Sequence, residues 1–107
     1  MAGHYELKVT TPTDVEAAAL GEAALGARLA ACFQISGPIS STYRWRGEVE
    51  QSTEWLLTLK TAADCLNAAM DLVRSLHSYE LPEIIALPIE AGSPDYLDWI
   101  TAETRPG

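Results

Sequence analysis

The chain has 107 residues and a mass of 11.6 kDa, room for one domain and not for two. Hydrophobic residues make up 48% and charged residues 21%, a globular composition, and no apolar run reaches the roughly 20 residues of a membrane helix. Seven Lys plus Arg against fifteen Asp plus Glu give a net charge of −8, which repels phosphate backbones and speaks against nucleic-acid partners.

Residues 4–11, HYELKVTT, alternate Tyr5, Leu7 and Val9 with Glu6, Lys8 and Thr10, the pattern of a half-buried strand. Thr13-Asp14-Val15-Glu16 is a T-x-x-E capping box that opens a helix expected to run to about Ala31, rich in alanine and therefore suited to close packing on a sheet. Residues 32–46 are β-branched and aromatic, with Gly37-Pro38 marking a bend or bulge. Arg46-Gly47-Glu48 reads as a hairpin turn and 49–61 as the returning strand. Thr61-x-x-Asp64 predicts the start of a second helix carrying Leu66, Ala69, Met70, Val73 and His77 at helical spacing. After Pro82, residues 83–90 form a fourth strand whose Pro88 suits a sheet edge. Ser93-Pro94 opens a last helix through Tyr96, Leu97 and Ile100.

This order, β-α-β-β-α-β with a C-terminal helix, predicts an α+β, ferredoxin-like single domain over residues 1–107. Tyr43, Trp45 and Trp55 put more aromatic surface on the hairpin than one small core needs, which points to burial against another subunit. The two cysteines, Cys32 and Cys65, share no C-x-x-C spacing, so a disulfide framework and a structural zinc site are not expected. With no stretch that reads as a signal peptide, the expected location is the cytoplasm, with no membrane attachment.

Leu29-Ala30-Ala31-Cys32, Tyr43-Arg44-Trp45-Arg46-Gly47-Glu48, Leu59-Lys60-Thr61, the run from His77 to Pro88, and Tyr96-Leu97-Asp98-Trp99 together resemble the CutA divalent-cation tolerance proteins. The similarity spans Leu7 to Arg105 in order and spacing. The resemblance implies a homotrimer of ferredoxin-like subunits, similar in architecture to PII signalling proteins. It implies a role in the response to copper and other divalent metals, and no enzymatic activity.

The family's copper pattern uses a cysteine at the end of the first strand and histidines in an H-H-P-Y segment. Carried over, these positions are Val9, Leu76 and His77, followed by Ser78, so one ligand of three remains. One imidazole alone does not hold copper tightly. His77 is therefore either a metal ligand helped by Glu80, Glu83 or a neighbouring subunit, or a structural residue at a helix end. With Met1 removed, Ala2-Gly3-His4 would present an amine, two amide nitrogens and an imidazole, the square-planar set that Cu2+ favours, which makes His4 a second metal candidate. No cofactor is required on this reading, and Cu2+ or another divalent cation is the optional one.

Tyr43, Arg44, Trp45, Glu48, Lys60, Tyr79, Glu83 and Trp99 could line a cleft between subunits, or form inter-subunit packing. Arg44 and Lys60 would hold a small anionic ligand there, as in a PII-like sensor reporting to a partner protein. Arg44, Lys60 and Glu83 would carry the chemistry if the cleft were an enzyme's. Glu48, Glu50 and Glu54 near the turn are expected on solvated surface.

Overall fold

The computed structural model describes residues 3–105. Strand β1 spans His4–Thr11, helix α1 Asp14–Gly26, β2 Cys32–Trp45 and β3 Glu48–Ala62. A 3-10 turn at Ala63–Cys65 leads into α2, Leu66–Leu76; β4 is Ile84–Pro88 and α3 Pro94–Glu103. The sheet is antiparallel throughout in the order β2-β3-β1-β4, so β2 and β4 are its edges and Pro88 sits on one of them. The ferredoxin-like order expected from the sequence is the observed one.

Leu7 and Val9 of β1 and Leu57 and Leu59 of β3 point to one face and are fully buried, each leucine worth roughly 2 kcal/mol of burial. Helices α1 and α2 close that face with Ala17, Leu20, Ala24, Ala69 and Val73. Side-chain size sets how α1 packs: a Cβ on Gly21 would lie 2.5 Å from the Phe33 ring, so the helix rests its backbone on that ring. On the opposite face, α3 covers only the end of the sheet, where His4 Nε2 meets Thr101 Oγ1 at 2.7 Å and Cys32 Sγ lies 3.7 Å from the Tyr96 hydroxyl.

Three expected boundaries shift for local reasons. Helix α1 stops at Gly26 rather than Ala31, because the Arg28 and Leu29 amides turn back to the Leu25 and Ala24 carbonyls in a Schellman ending with Arg28 at φ 59°. Thr61 does not cap α2: it is the penultimate residue of β3, and its buried hydroxyl donates to the Leu29 carbonyl at 2.7 Å. The fourth strand pairs only over Ile84–Pro88, shorter than 83–90. The capping box is half made, since Thr13 accepts the Glu16 amide but the Glu16 carboxylate goes to Ser78 instead.

The β2–β3 hairpin projects beyond this core and stretches the molecule to 44 × 26 × 21 Å. Its tip is a two-residue turn, Arg46-Gly47, with both φ angles positive (50° and 85°) as the twist of a hairpin favours. The register slips between Ser36 and Ile39, the bulge expected at Gly37-Pro38. Gly37, at φ 149°, presses on Trp55 so closely that a Cβ would lie 2.8 Å from the ring.

Candidate functional site

The hairpin and the segment after α2 enclose the site. Strand alternation puts Tyr43, paired with Glu50, and Trp45, paired with Glu48, on the sheet face away from α1 and α2. Residues 79–83 run past the same face. Together they bound a half-open cavity of about 610 Å³, lined among others by Thr10, Tyr43, Trp45, Glu50, Glu54 and Tyr79. Glu80, Leu81 and Glu83 complete the side opposite the hairpin.

His77 fixes where that segment runs. Its ring is fully buried, and Nε2 meets the Thr10 carbonyl at 2.7 Å while Nδ1 accepts the Tyr79 amide at 3.0 Å. A hydrogen on Nε2 satisfies both contacts. Glu16 Oε2 stands 3.4 Å from Nδ1 but is already taken by the Ser78 amide and hydroxyl at 3.0 and 2.9 Å. The Tyr79 ring then lies 4.9 Å from the imidazole, and its hydroxyl donates to Glu54 Oε2 at 2.9 Å. Burial, and next this bond to Glu54, push the Tyr79 phenol well above its ordinary range.

Five of the eight residues expected in a cleft meet here: Tyr43, Arg44, Trp45, Tyr79 and Glu83. Arg44 only borders it, since pairing with Val49 puts its side chain on the other face of the hairpin from Tyr43 and Trp45. Three residues lie elsewhere. Lys60 is at the far end of β3, donating to Gln34 at 2.8 Å. Trp99 stacks on Tyr96 on α3 with centroids 5.4 Å apart. Glu48 stands at the exposed hairpin tip. The Arg44–Lys60 pairing on which an anion site or an Arg44, Lys60 and Glu83 enzyme would depend is therefore not assembled in one chain.

Glu54 corrects the sequence reading. Expected on solvated surface, it is only 7% exposed, because the Tyr79 segment folds over it. The cavity is acidic: Glu50, Glu54, Glu80 and Glu83 line it, and Arg44 is the one basic residue among the lining residues. Glu80 also receives Arg46 at 3.0 Å, whose guanidinium lies 5.2 Å from the centroid of the Trp45 ring. The run from His77 to Pro88 held the signal for Glu80; nothing local marked Glu54.

Among the described residues, no three His, Cys, Asp or Glu side chains come together at metal-binding distance. His4, the other metal candidate, uses Nε2 on Thr101, and the Ala2 needed for its chelate lies outside the described residues. Cys65 is buried, and burial, with Asp64 beside it, raises its thiol. Cys32 is partly buried, against Tyr96.

Residues 7–103 match the family described as "CutA1 divalent ion tolerance protein". The chain belongs to that family. It is 41% identical over 96 residues to the divalent-cation tolerance protein CutA of Thermus thermophilus, covering 90% of this chain and 93% of that one. It is also 41% identical over 97 residues to mouse protein CutA, covering 91% of this chain but only 55% of the mouse protein. Against mouse and the other vertebrate relatives it spans between 54% and 65% of their length. The crystal structure of CutA from Xylella fastidiosa superposes with a TM-score of 0.94 at 38% identity, covering 97% of this chain and all of that one. Relatives are named for more than one compartment: a rice CutA is named chloroplastic, and the Archaeoglobus fulgidus protein is described as periplasmic. No helix among the described residues is long and apolar enough to cross a membrane.

Proposed function

We propose that this chain serves divalent-cation tolerance by binding rather than by catalysis. It acts as a homotrimer in which the hairpin cavity is the binding place and its ligand is positively charged. The observation that carries this is the cavity's acid lining, four glutamates around aromatic walls, of which among the described residues Glu80 alone is ion-paired, with Arg46 at the rim, while the bordering Arg44 turns to the other face. Carboxylates in a partly desolvated recess attract a cation more strongly than the same groups in open water do.

Several features support assembly. The cavity is half open, the sheet of the described residues has two free edges, and Leu81 just before β4 and Ile85 and Leu87 within it are 64%, 47% and 41% exposed. A second and third copy laid against the projecting hairpin would bury this apolar surface and close the cavity.

Sedimentation equilibrium tests the assembly, with a mass of three chains expected and a monomer overturning it. Growth in elevated copper tests the role. Cells lacking the protein should be rescued by the wild type and not by a chain with Glu50, Glu54 and Glu83 all changed to glutamine. Full rescue by that variant, with the trimer intact, would move the function away from this cavity.

A further inference from the structure

We infer that the hairpin cavity takes a small organic cation, a protonated amine or a guanidinium, held between aromatic faces and glutamate carboxylates. This rests on the cavity being the binding place, and it gives the ligand a chemistry. The size of the space argues first. A recess of about 610 Å³ is far larger than a dehydrated metal ion, which needs several oxygens converging at about 2.0–2.6 Å. Among the described residues no three candidate ligands converge anywhere.

The walls argue second. Tyr43 and Trp45 share the face that carries Glu50, and Tyr79 closes over Glu54. Aromatic faces attract an ammonium or guanidinium through the ring quadrupole, and the attraction grows where water is excluded. Glu54 lies almost out of water at 7% exposure, and the Tyr79 hydroxyl fills one of the roughly four acceptor positions of its carboxylate. A cation beside Glu54 would use the remainder.

The chain also shows this chemistry at the rim. Arg46, at the hairpin turn, lays its guanidinium 5.2 Å from the Trp45 centroid and bonds Glu80 at 3.0 Å. An aromatic ring and a carboxylate already hold a guanidinium there. Its side chain is 70% exposed, so this pair is weakly held and an incoming cation can take its place on Trp45.

The test is calorimetric titration of the full chain with agmatine, which carries an ammonium and a guanidinium, at low salt. Zinc chloride and sodium citrate are titrated in parallel. Saturable agmatine binding is expected, near one per chain, with a change in tryptophan emission from Trp45. Trp45→Leu and Glu54→Gln should each weaken it about tenfold. Glu50→Gln, whose side chain makes no hydrogen bond or ion pair among the described residues of its own chain, should weaken it severalfold with the trimer mass unchanged. Binding of agmatine that all three variants leave unchanged overturns the assignment. So does citrate binding in agmatine's place. If agmatine is silent and zinc binds with a loss in Glu54→Gln, the cavity stands and the organic cation falls. If nothing binds to an intact trimer, both fall, as they would if a neighbouring copy's own side chain filled the space.

Discussion

The Tyr79 hydroxyl donates to Glu54 Oε2 at 2.9 Å, tying the segment after α2 to β3 across 25 positions of chain. The bond keeps a nearly buried carboxylate hydrogen-bonded and shapes one wall of the cavity. Tyr79→Phe leaves that carboxylate without its donor, so we expect a loss of about 1–2 kcal/mol in urea unfolding at neutral pH. The alkaline limb gives the sharper check. Burial and Glu54 raise the phenol above its ordinary value of 10.0, so the folded chain holds this proton when the unfolded chain has released it. Stability from this group is complete below about pH 10 and falls as pH rises further. Urea midpoints across that range should fall less steeply for Tyr79→Phe than for wild type. Parallel curves would mean that Tyr79 is not the titrating group.

Gly21 touches Phe33 with no room for a side chain, its built Cβ falling 2.5, 2.6 and 2.9 Å from three ring atoms. Alanine is the better helix former by about 1 kcal/mol, while overpacking costs roughly 1–3 kcal/mol. Gly21→Ala is therefore expected to destabilise by about 1 kcal/mol net. The sign should reverse in a Phe33→Leu background, where the ring is gone. A double-mutant cycle measures this coupling; additive effects would show that α1 does not rest on the ring.

Arg28 serves two helices. At φ 59° it ends α1, and its guanidinium donates to the Ala102 and Glu103 carbonyls of α3 at 3.2 and 3.4 Å, while the Arg105 amide returns to its own carbonyl. The ion pair to Glu103 at 3.7 Å is half exposed and adds little. Arg28→Ala keeps the left-handed strain and loses the α3 contacts, an expected cost of about 1 kcal/mol. Arg28→Gly relieves the strain by a similar amount and should unfold near the wild-type midpoint. If alanine and glycine behave alike at fixed protein concentration, the backbone conformation is not what this position contributes.

The same residues show what could be read before the fold was known. The period of two in HYELKVTT, the T-x-x-E start of α1, the Arg46-Gly47 turn and the bend at Gly37-Pro38 are local signals, and each lies where it was expected. Arg28 hid the end of α1 because that conformation usually calls for glycine or asparagine. Thr61 imitated a helix cap while its hydroxyl was used by Leu29, 32 positions away. In the site, Tyr43, Trp45, Tyr79 and Glu83 came from a segment resemblance. Glu54 did not, because its burial depends on Tyr79, and no pattern within β3 encodes that. Lys60 and Trp99 were expected in the same cleft but lie elsewhere, because the 15-residue strand β3 carries Lys60 to the end opposite the hairpin tip and Trp99 belongs to α3.

His77 is the one ligand left of the copper pattern that the resemblance implies, and its surroundings decide how it should behave. Both ring nitrogens are engaged, with the Thr10 carbonyl at 2.7 Å and the Tyr79 amide at 3.0 Å, and the side chain is fully buried. A metal could use this ring only by breaking one of those bonds and opening the segment that forms the cavity wall. His77→Ala should therefore act on stability, costing about 2–4 kcal/mol through lost packing and an unpaired Thr10 carbonyl. It should leave Cu2+ stoichiometry unchanged. His4 differs, because Thr101 occupies only Nε2 and leaves Nδ1 for a chelate with the amine and amides of an Ala2-Gly3-His4 terminus. Calorimetric titration of Cu2+ into metal-free protein lacking Met1 should lose one tight site in His4→Ala and none in His77→Ala. The opposite result, a site lost in a still-folded His77→Ala and kept in His4→Ala, would return copper to the folded position that Val9 and Leu76 have otherwise stripped of ligands.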